Sequence, residues 1–270
     1  MKPIIKWPGG KRKSADFICG KITPLLGEKI YIEPFFGGGA IFLQLEPKYA
    51  VLGDACVPLW ILYNNIIENP AAVADALDAL IIENGFQKET YYKVRDAFDC
   101  QLDSPLTAAQ MIYLNKTCFN GLFRQNKKGK FNVPWGKRVK PPKFPSRAEI
   151  FALAELLNNK EFICGDFSEF KKFGIEPRNT VQYYDPPYVD TFSQYTDDGF
   201  NDGDQIRLAN LLREEYEAGA QIFASNMDCD RVRELYSWVT IEIVPVFHAI
   251  GPKGAQRAVK NEVLIQAVHE

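Results

Sequence analysis

The chain has 270 residues, of which 46% are hydrophobic, and a formal net charge of −2. This size and composition suit one large domain or two smaller ones with a substantial buried core. No apolar run approaches the roughly 20 residues that cross a bilayer, and the apolar segment near the N-terminus is too short for a signal peptide, so we expect a cytoplasmic protein without a membrane partner. Six widely separated cysteines without a CxxC pair argue against a zinc site and a disulfide framework.

Positive charge is concentrated in one segment, residues 116–147. It contains ten Lys and Arg residues and no Asp or Glu, so the remainder of the chain carries −12. Aromatic residues alternate with these charges, at Phe119, Phe123, Phe131 and Trp135. Cations beside stacking surfaces are typical of nucleic-acid binding, whereas a solvated basic loop would not require the aromatics. We therefore expect a polyanion-binding face here.

The first part of the chain predicts a β-α-β unit. A loop rich in Gly and Lys and a helix ending near residue 26 come first. Residues 29–35 (KIYIEPF) then read as a buried strand, 37–45 (GGGAIFLQL) as a glycine loop entering a helix, and 49–55 (YAVLGDA) as a second strand. Such a unit is right-handed and parallel in nearly all proteins.

The middle of the chain has a different character. Residues 57–115 are mostly helix-like, and Ser104, directly before a proline, suits the N-cap of one helix. Within the basic segment, residues 127–130 (KKGK) form a predicted turn between two short extended pieces, which suggests a hairpin. Ser146 and Glu149 have the spacing of a capping box for the helix that follows.

Strands and helices alternate again in the last part of the chain. Strands are predicted over residues 161–167, 180–187 and 221–226, with a helix over 204–218, and two final apolar runs that can pair lie at 239–247 and 261–268. The simplest architecture is one α/β sheet domain, residues 1–56 and 146–270. An insertion at residues 57–145 interrupts it and carries the basic face.

The ends of the predicted strands carry glycines and acids. In a doubly wound sheet, ligands bind at the carboxyl ends of the strands. Glycines at 37–39 let the backbone approach a ligand closely. Asp54 can accept two ribose hydroxyls, and Asp166, with Phe167 beside it, can accept an adenine amino group. No GxxxxGK[ST] loop occurs. Together these features favour an adenosine-containing cofactor without a triphosphate.

The stretch Asp185, Pro186, Pro187 and Tyr188 follows another predicted strand. The prolines fix φ near −65° and present their carbonyls in set directions. A carboxylate beside such a carbonyl makes two acceptors aimed at one point, which suits the two N–H donors of an exocyclic amino group. The face of Tyr188 can stack on a planar base. The motif is thus suited to hold an amino group while its nitrogen attacks an electrophilic methyl group, the proton leaving afterwards through Asp185.

These motifs resemble the Dam family of DNA adenine-N6 methyltransferases, which use S-adenosyl-L-methionine as methyl donor. The resemblance covers nearly the whole chain and rests, in the family's order, on KWPGGK (6–11), EPFFGGGAIF (33–42), GDA (53–55), GDF (165–167) and DPPY (185–188). It implies a Rossmann-like SAM-dependent methyltransferase sheet with an inserted, mainly helical DNA-recognition domain bearing a β-hairpin. Double-stranded DNA is the implied partner, with no obligate protein partner, in the nucleoid of a bacterial or phage-infected cell.

The resemblance also implies roles for individual residues. Asp185 and Pro186 would hold the target amino group, and Tyr188 would stack on a flipped base, because an adenine N6 inside a paired stack is not open to in-line attack. The only histidines, His248 and His269, lie near no motif, and we expect neither a histidine mechanism nor a catalytic metal. The implied cofactor contacts are Trp7, Lys11, Phe35, Gly37, Gly39, Asp54, Asp166, Phe167 and Asp185.

Two stretches of the basic insertion, FNGLFRQN (119–126) and KFNVPWG (130–136), resemble the family's recognition hairpin for the tetranucleotide GATC. Arg124 would read a guanine, since a guanidinium can pair with O6 and N7 in the major groove. Lys6 would contact the other guanine, and Phe119 would insert into the base stack.

The remaining implied DNA contacts surround these readers. Asn120 would meet the base left unpaired, Leu122 and Pro134 would touch the central A·T pairs, and Asn126 and Asn132 complete the hairpin's contacts. Phosphate contacts, which position the protein without specifying sequence, would come from Lys127, Lys128, Lys130 and Lys140.

Two departures from the family pattern bear on the recognised sequence. Pro8 stands where many members have alanine, and Gln125 occupies a variable position beside Arg124. A longer site that contains GATC or shares half of it therefore stays open. Two other functions stay open: a catalytically silent, SAM-binding DNA-binding regulator, which the intact DPPY opposes, and an RNA adenine-N6 methyltransferase, which a duplex-reading hairpin opposes.

Overall fold

The structure is a computed structural model that describes residues 1–189, 200–245 and 261–269. Its helices in these ranges are α1 (Ala15–Leu26), α2 (Phe42–Leu45), α3 (Val57–Glu68), α4 (Pro70–Asn84), α5 (Lys88–Ala97), α6 (Pro105–Thr117), α7 (Arg147–Leu157), α8 (Asp202–Glu217) and α9 (Asp230–Leu235). Its strands are β1 (Ile30–Glu33), β2 (Ala50–Asp54), β3 (Glu161–Cys164), β4 (Thr180–Tyr184), β5 (Gln221–Met227), β6 (Thr240–Ile243) and β7 (Glu262–Ala267).

The strands form a sheet in the order β3-β2-β1-β4-β5-β7-β6. Strand β1 is parallel to both β2 and β4, with Tyr31 opposite Ala50 and Val181, and β4 is parallel to β5. Strand β7 runs antiparallel to β5 and β6. The order reverses between β1 and β4, which is where open α/β sheets bind their ligands. The predicted Rossmann-like α/β fold is confirmed.

Strands β4 and β5 lie inside the sheet, with a paired strand on either side of each. Every residue of β4 and β5 is buried. Among their buried polar side chains, Gln182 of β4 donates to the Glu215 carboxylate at 2.9 Å and accepts from the Tyr184 hydroxyl at 2.6 Å. A buried amide is tolerated only when its hydrogen bonds are made, as they are here.

The predicted helix boundaries agree with the observed caps. The Ser104 hydroxyl accepts from the backbone N–H of Thr107 and starts α6. Ser146 and Glu149 make both hydrogen bonds of a capping box at the start of α7. These signals are local, so the sequence is sufficient to place them.

The last predicted strand pair is confirmed for the described residues. Strands β6 and β7 pair with Ile241 opposite Ile265. The end of the predicted run 239–247 lies outside the described residues, as does His248. His269 stacks on Tyr216 with ring centroids 4.3 Å apart, so it packs against the protein. None of the helices in the described ranges has both the length and the apolar character that a bilayer crossing requires.

By packing, the chain divides into two compact units. One consists of Met1–Gly10, Gly37–Glu46 and Gly53–Gly165, and the other of Lys11–Phe36, Pro47–Leu52 and Asp166–Glu270. We call them the helical unit, built around α3, α4, α6 and α7, and the sheet unit, which contains β1 and β4 to β7. The functional division predicted at residues 57–145 remains a prediction, since compactness and function are different criteria.

Candidate active site and nucleic-acid interface

In the sheet unit, the DPPY motif begins directly after β4 and joins a charged cluster. The Lys11 ammonium nitrogen lies 2.6 Å from Asp185 Oδ1 and 3.5 Å from Glu262 Oε1. It also lies 4.8 Å from the centre of the Tyr188 ring, and the Tyr188 hydroxyl donates to Glu262 Oε1. We call these four residues the Lys11 cluster. The sequence predicted three of them as site residues but placed Lys11 at the cofactor, and it did not predict Glu262.

The environment of the Lys11 cluster sets its charge states. Burial raises the pKa of Asp185 to about 6. The negative charge of Glu262 also raises this pKa, whereas the Lys11 ammonium group lowers it. Burial, together with the charges of Asp185 and Glu262, raises the pKa of the Tyr188 phenol far above its ordinary value. At neutral pH, therefore, Asp185 is a carboxylate and Tyr188 a neutral hydroxyl.

Two buried amides fix the backbone of the DPPY turn. Gln205 Nε2, from α8, donates to the Pro187 carbonyl at 2.7 Å. Asn226 Nδ2, from β5, donates to Gln205 Oε1 at 3.2 Å, while Asn226 Oδ1 accepts from the Val189 N–H at 3.4 Å. The Pro187 carbonyl is thus bound within the protein, and Pro186 before it is buried. The sequence did not predict Gln205 or Asn226, although the position of Asn226 near the end of a parallel strand is a signal that could have found it.

An aromatic wall follows β1 in the sheet unit. Phe35 stacks on the buried Phe167 with ring centroids 5.7 Å apart and planes 22° apart. Phe200 meets both rings edge-on, at 5.7 and 5.9 Å. The structure thus brings Phe35 to the residue predicted to pack against adenine.

Asp166 stands beside this wall and is held in place by two donors. It accepts from the Ser168 hydroxyl at 2.6 Å and from Arg207 Nη2 at 2.9 Å. Burial would raise the pKa of Asp166, but the hydrogen bonds from Ser168 and Arg207 outweigh it and hold this pKa below its ordinary value. The Arg207 guanidinium also lies 4.9 Å from the centre of the Phe167 ring. No sequence motif marked Arg207.

In the helical unit, Asp54 lies at the end of β2 and is tied to the glycine loop. Its Oδ2 accepts from the Gly37 N–H and its Oδ1 from the Cys56 N–H, both at 2.9 Å. Burial raises the pKa of Asp54 to about 6, and these two hydrogen bonds limit the rise. A carboxylate has about four acceptor positions, so each oxygen retains capacity for a ligand hydroxyl.

The glycine loop itself needs its glycines. Gly37 and Gly39 have φ of +50° and +68°, in the left-handed region. A Cβ at position 37 would lie 2.7 Å from Cδ1 of Trp7, so the indole ring rests against the bare backbone. The Tyr63 hydroxyl donates to the Gly37 carbonyl at 2.9 Å. Trp7, Gly37, Gly39 and Asp54, all predicted cofactor contacts, are therefore close together.

A buried amide joins the N-terminal loop to the predicted recognition segment, also within the helical unit. Asn115 Oδ1 accepts from the Lys6 N–H at 2.8 Å, and Asn115 Nδ2 donates to the carbonyls of Lys6 at 2.8 Å and Gly121 at 3.1 Å. A Cβ at Gly121 would lie 2.7 Å from Lys6 Cδ, so the lysine stem packs on that glycine. Lys6 is thereby placed beside residues 119–126, as the prediction requires.

The predicted hairpin is present in a minimal form. Gln125 and Phe131 form an isolated antiparallel bridge, and Gly129, at φ of +72°, makes the turn. Arg124 Nε donates to Asn132 Oδ1 at 2.7 Å, and Arg124 Nη2 donates to the Asn132 carbonyl at 3.3 Å. A guanidinium carries five N–H donors, so Arg124 is oriented by the hairpin and retains donors for a base.

The four aromatic residues of the basic segment do not share one role. Phe119 is 49% exposed, as an inserting side chain must be. Phe131 is buried, Trp135 donates through its indole N–H to the Phe86 carbonyl, and Phe123 stacks on Trp7 with centroids 5.3 Å apart. The stacking role expected of these aromatics is therefore wrong for Phe131, which is buried within its own unit, and stays a prediction for the others. Other predicted DNA contacts are exposed, namely Asn120, Leu122, Arg124, Asn126, Lys127, Lys128, Lys130, Pro134 and Lys140.

An open, mostly parallel sheet, a glycine loop after its first strand and a DPPY turn after β4 define a Rossmann-like methyltransferase that acts on an amino group. The chain belongs to the D12 class of N6 adenine-specific DNA methyltransferases, whose family model matches residues 7–250. It is therefore an enzyme of DNA adenine methylation, and the predicted family and enzyme class are confirmed.

Several DNA methyltransferases are similar to this chain over almost its whole length. The type II methyltransferase M.MjaIII of Methanocaldococcus jannaschii is 38% identical over 95% of this chain and 95% of its own length. The type II methyltransferase M1.LlaDCHI of Lactococcus lactis subsp. cremoris is 32% identical over 98% and 95%. A DNA adenine methylase of Vibrio cholerae serotype O1 is 31% identical over 98% and 95%.

Proposed function

We propose that this enzyme transfers a methyl group from S-adenosyl-L-methionine to N6 of an adenine flipped out of duplex DNA, within GATC or a site that shares part of it. The observation that carries the proposal is the DPPY turn. It combines a largely buried carboxylate, Asp185, with a backbone held by Gln205 and Asn226. The proposed setting is the cytoplasm of a bacterial or phage-infected cell, where the substrate is the DNA of the nucleoid.

The residues present fit an adenosine-bearing methyl donor. We assign the ribose hydroxyls to Asp54, whose carboxylate is already oriented by two backbone N–H groups. Adenine is assigned to Asp166 and to the wall of Phe35 and Phe167. The left-handed glycine loop under Trp7 leaves the backbone uncovered by a side chain at position 37. When bound, the cofactor supplies a methyl group on a sulfonium sulfur, and the sulfur keeps the electron pair of the broken bond while the N6 lone pair forms the new one.

The protein's own groups prepare the amino group for this transfer. The Asp185 carboxylate and the Pro186 carbonyl each accept a hydrogen bond from one N–H group of N6. These hydrogen bonds draw the nitrogen toward tetrahedral geometry, which frees its lone pair. Tyr188 stacks on the flipped base. The extra proton then leaves to the Asp185 carboxylate, whose pKa of about 6 suits a proton acceptor near neutral pH.

Sequence recognition is assigned to the hairpin and the N-terminal loop. Arg124, oriented by Asn132, reads a guanine, and Lys6, held by Asn115, reads the other. Exposed Phe119 enters the stack in place of the flipped base. The four exposed lysines at 127, 128, 130 and 140 bind phosphates, which accounts for the position of the segment's positive charge.

A transfer assay with a tritiated methyl donor tests this function. We expect label in a GATC duplex, none in a duplex in which the adenine is replaced, and little in single-stranded RNA of the same sequence. Asp185→Asn, which keeps the shape of the side chain, should abolish transfer while the cofactor still binds by calorimetry. Equal labelling of duplexes without GATC would refute the specificity, and preferential labelling of RNA would refute the substrate. Tight duplex binding without transfer would support a silent regulator instead.

A further inference from the structure

We infer that Glu262 is a positioning residue of the active site, holding Tyr188 and Lys11 in the arrangement that the DPPY turn needs. The inference rests on the proposed function, because it assigns a role within that same reaction. No sequence motif includes Glu262, which lies 74 residues after Tyr188 and reaches it only in the folded sheet unit.

Glu262 projects from a rigid backbone. It is the first residue of β7, opposite Met227 of β5, and its carbonyl accepts from the Val244 N–H at 2.8 Å. Backbone pairing on both sides leaves the carboxylate little freedom to follow its partners. We therefore take the side chains of Tyr188 and Lys11 to be oriented by Glu262, and not the reverse.

The first partner is Tyr188, whose hydroxyl donates to Glu262 Oε1. A phenol with a fixed hydrogen bond cannot swing its ring away from the turn. The ring that we assign to the flipped base is therefore fixed at both ends, by the backbone on one side and by the Glu262 carboxylate on the other.

The second partner is Lys11, which Glu262 shares with Asp185. The ammonium nitrogen lies 2.6 Å from Asp185 Oδ1, one of the atoms available to accept the target amino group. Glu262 Oε1, at 3.5 Å from the same nitrogen, offers a second anion. Lys11 is paired with two carboxylates. When an N–H donor of the target binds the Asp185 oxygen, the ammonium group therefore keeps Glu262 as a partner. An unpaired ammonium group would be costly in this buried position.

The charges around Asp185 predict the direction in which each substitution moves the pH profile of kcat. The groups facing it are Lys11 from the N-terminal loop, Glu262 from β7, Tyr188 from its own turn and Tyr183 from β4. The negative charge of Glu262 raises the pKa of Asp185, and the positive charge of Lys11 lowers it. Neutralising Glu262 should therefore move the acid limb of kcat to lower pH, and neutralising Lys11 should move it to higher pH.

The test compares pH profiles of methyl transfer to a GATC duplex for the wild-type enzyme, Glu262→Gln, Lys11→Met and the control Glu242→Gln. Glu242 lies on β6, beside β7, and its carboxylate pairs with Lys21 and Gln266. The substitution Glu242→Gln therefore removes one negative charge, as Glu262→Gln does, but at a position away from the Lys11 cluster. For Glu262→Gln we expect kcat to fall by about tenfold, the scale of one hydrogen bond to a charged group, with the acid limb at lower pH and unchanged cofactor affinity. Glu242→Gln should match the wild type.

The outcomes separate the inference from the proposed function. An inactive wild-type enzyme would contradict the function. An active wild type with a Glu262→Gln profile that is unchanged, or lowered equally at every pH along with the melting temperature, would overturn the positioning role. Should Glu262→Gln fail to fold, Tyr188→Phe decides the matter, because it keeps the ring and removes the hydroxyl that donates to Glu262. A lowered kcat with unchanged cofactor affinity supports the positioning role, and an unchanged kcat overturns it.

Discussion

The side-chain amide of Asn115 pairs with both backbone groups of Lys6, at 2.8 Å each, and also donates to the Gly121 carbonyl at 3.1 Å. One buried side chain thus bonds to the two segments that we assign to the two guanines. A helix residue without a motif of its own therefore holds these two segments together.

Asn115→Asp should reduce discrimination more than turnover. The carboxylate keeps the acceptor for the Lys6 N–H but loses both donors and faces two carbonyl oxygens, a cost of about 1–3 kcal/mol. We expect the ratio of kcat/KM for GATC over duplexes with one base pair changed to fall about tenfold or more, on the scale of that cost. Asn84→Asp, which changes an amide at the end of α4 that donates to the Leu80 carbonyl, is the control. An unchanged ratio in Asn115→Asp would separate Asn115 from recognition.

Arg124→Lys should relax specificity at a single position. A lysine cannot pair with O6 and N7 in the bidentate manner of a guanidinium, which is worth about 1–3 kcal/mol of discrimination. Competition assays with each base at each position should show the loss at one guanine only. In contrast, Lys127→Ala should weaken binding to all duplexes alike. The slope of log K against log salt concentration should then fall by about one. If Arg124→Lys instead weakened binding to every duplex equally, Arg124 would be a phosphate contact and not a base reader.

Gln205→Leu should lower kcat with little change in the KM for DNA. The Pro187 carbonyl would lose its donor, and the DPPY turn would be less well fixed, for a cost of about 1 kcal/mol or more. Steady-state kinetics on the GATC duplex measure the effect. The matched control is Gln266→Leu, whose amide donates to Glu242 away from the turn. If both variants fell equally, the effect would come from general destabilisation of the sheet unit.

Gly37→Ala should weaken cofactor binding and lower Tm. The new Cβ would meet the Trp7 ring at 2.7 Å and would also require a left-handed φ of +50°. Gly174→Ala places an alanine at a similar φ of +60°, in the left-handed conformation and in open space, so it carries a backbone strain of about 1 kcal/mol without the clash. Calorimetry with S-adenosyl-L-methionine and a thermal melt of each variant separate the two contributions. Equal losses in both would mean that Trp7 simply moves aside.

The sequence predicts well what is decided locally. The capping box of Ser146 and Glu149, the glycine loop after β1 and the DPPY turn after β4 each depend on residues a few positions apart. Strand ends also predict where ligands bind, because parallel strands share one carboxyl edge. These signals were enough for the fold, and they marked most of the residues from which the candidate site is built.

What the sequence could not predict depends on distant partners. Phe131 and Phe119 are the same residue type in the same basic segment, but only Phe131 is covered, by Phe98 and Phe123. Burial, and not residue type, decides whether an aromatic packs or stacks on a ligand. Asn115 and Glu262 likewise act across 109 and 74 residues, so no spacing rule marks them.

The central claim is that Asp185 and the hairpin act together to methylate N6 of adenine in GATC. Methylation-sensitive sequencing of DNA from cells that express the protein tests it most directly, because it reports the modified base and its context at once. We expect N6-methyladenine in GATC or in sites that contain or share half of it, and none in cells expressing Asp185→Asn. N6-methyladenine in unrelated contexts, methylated cytosine, or equal modification in the Asp185→Asn cells would contradict the account.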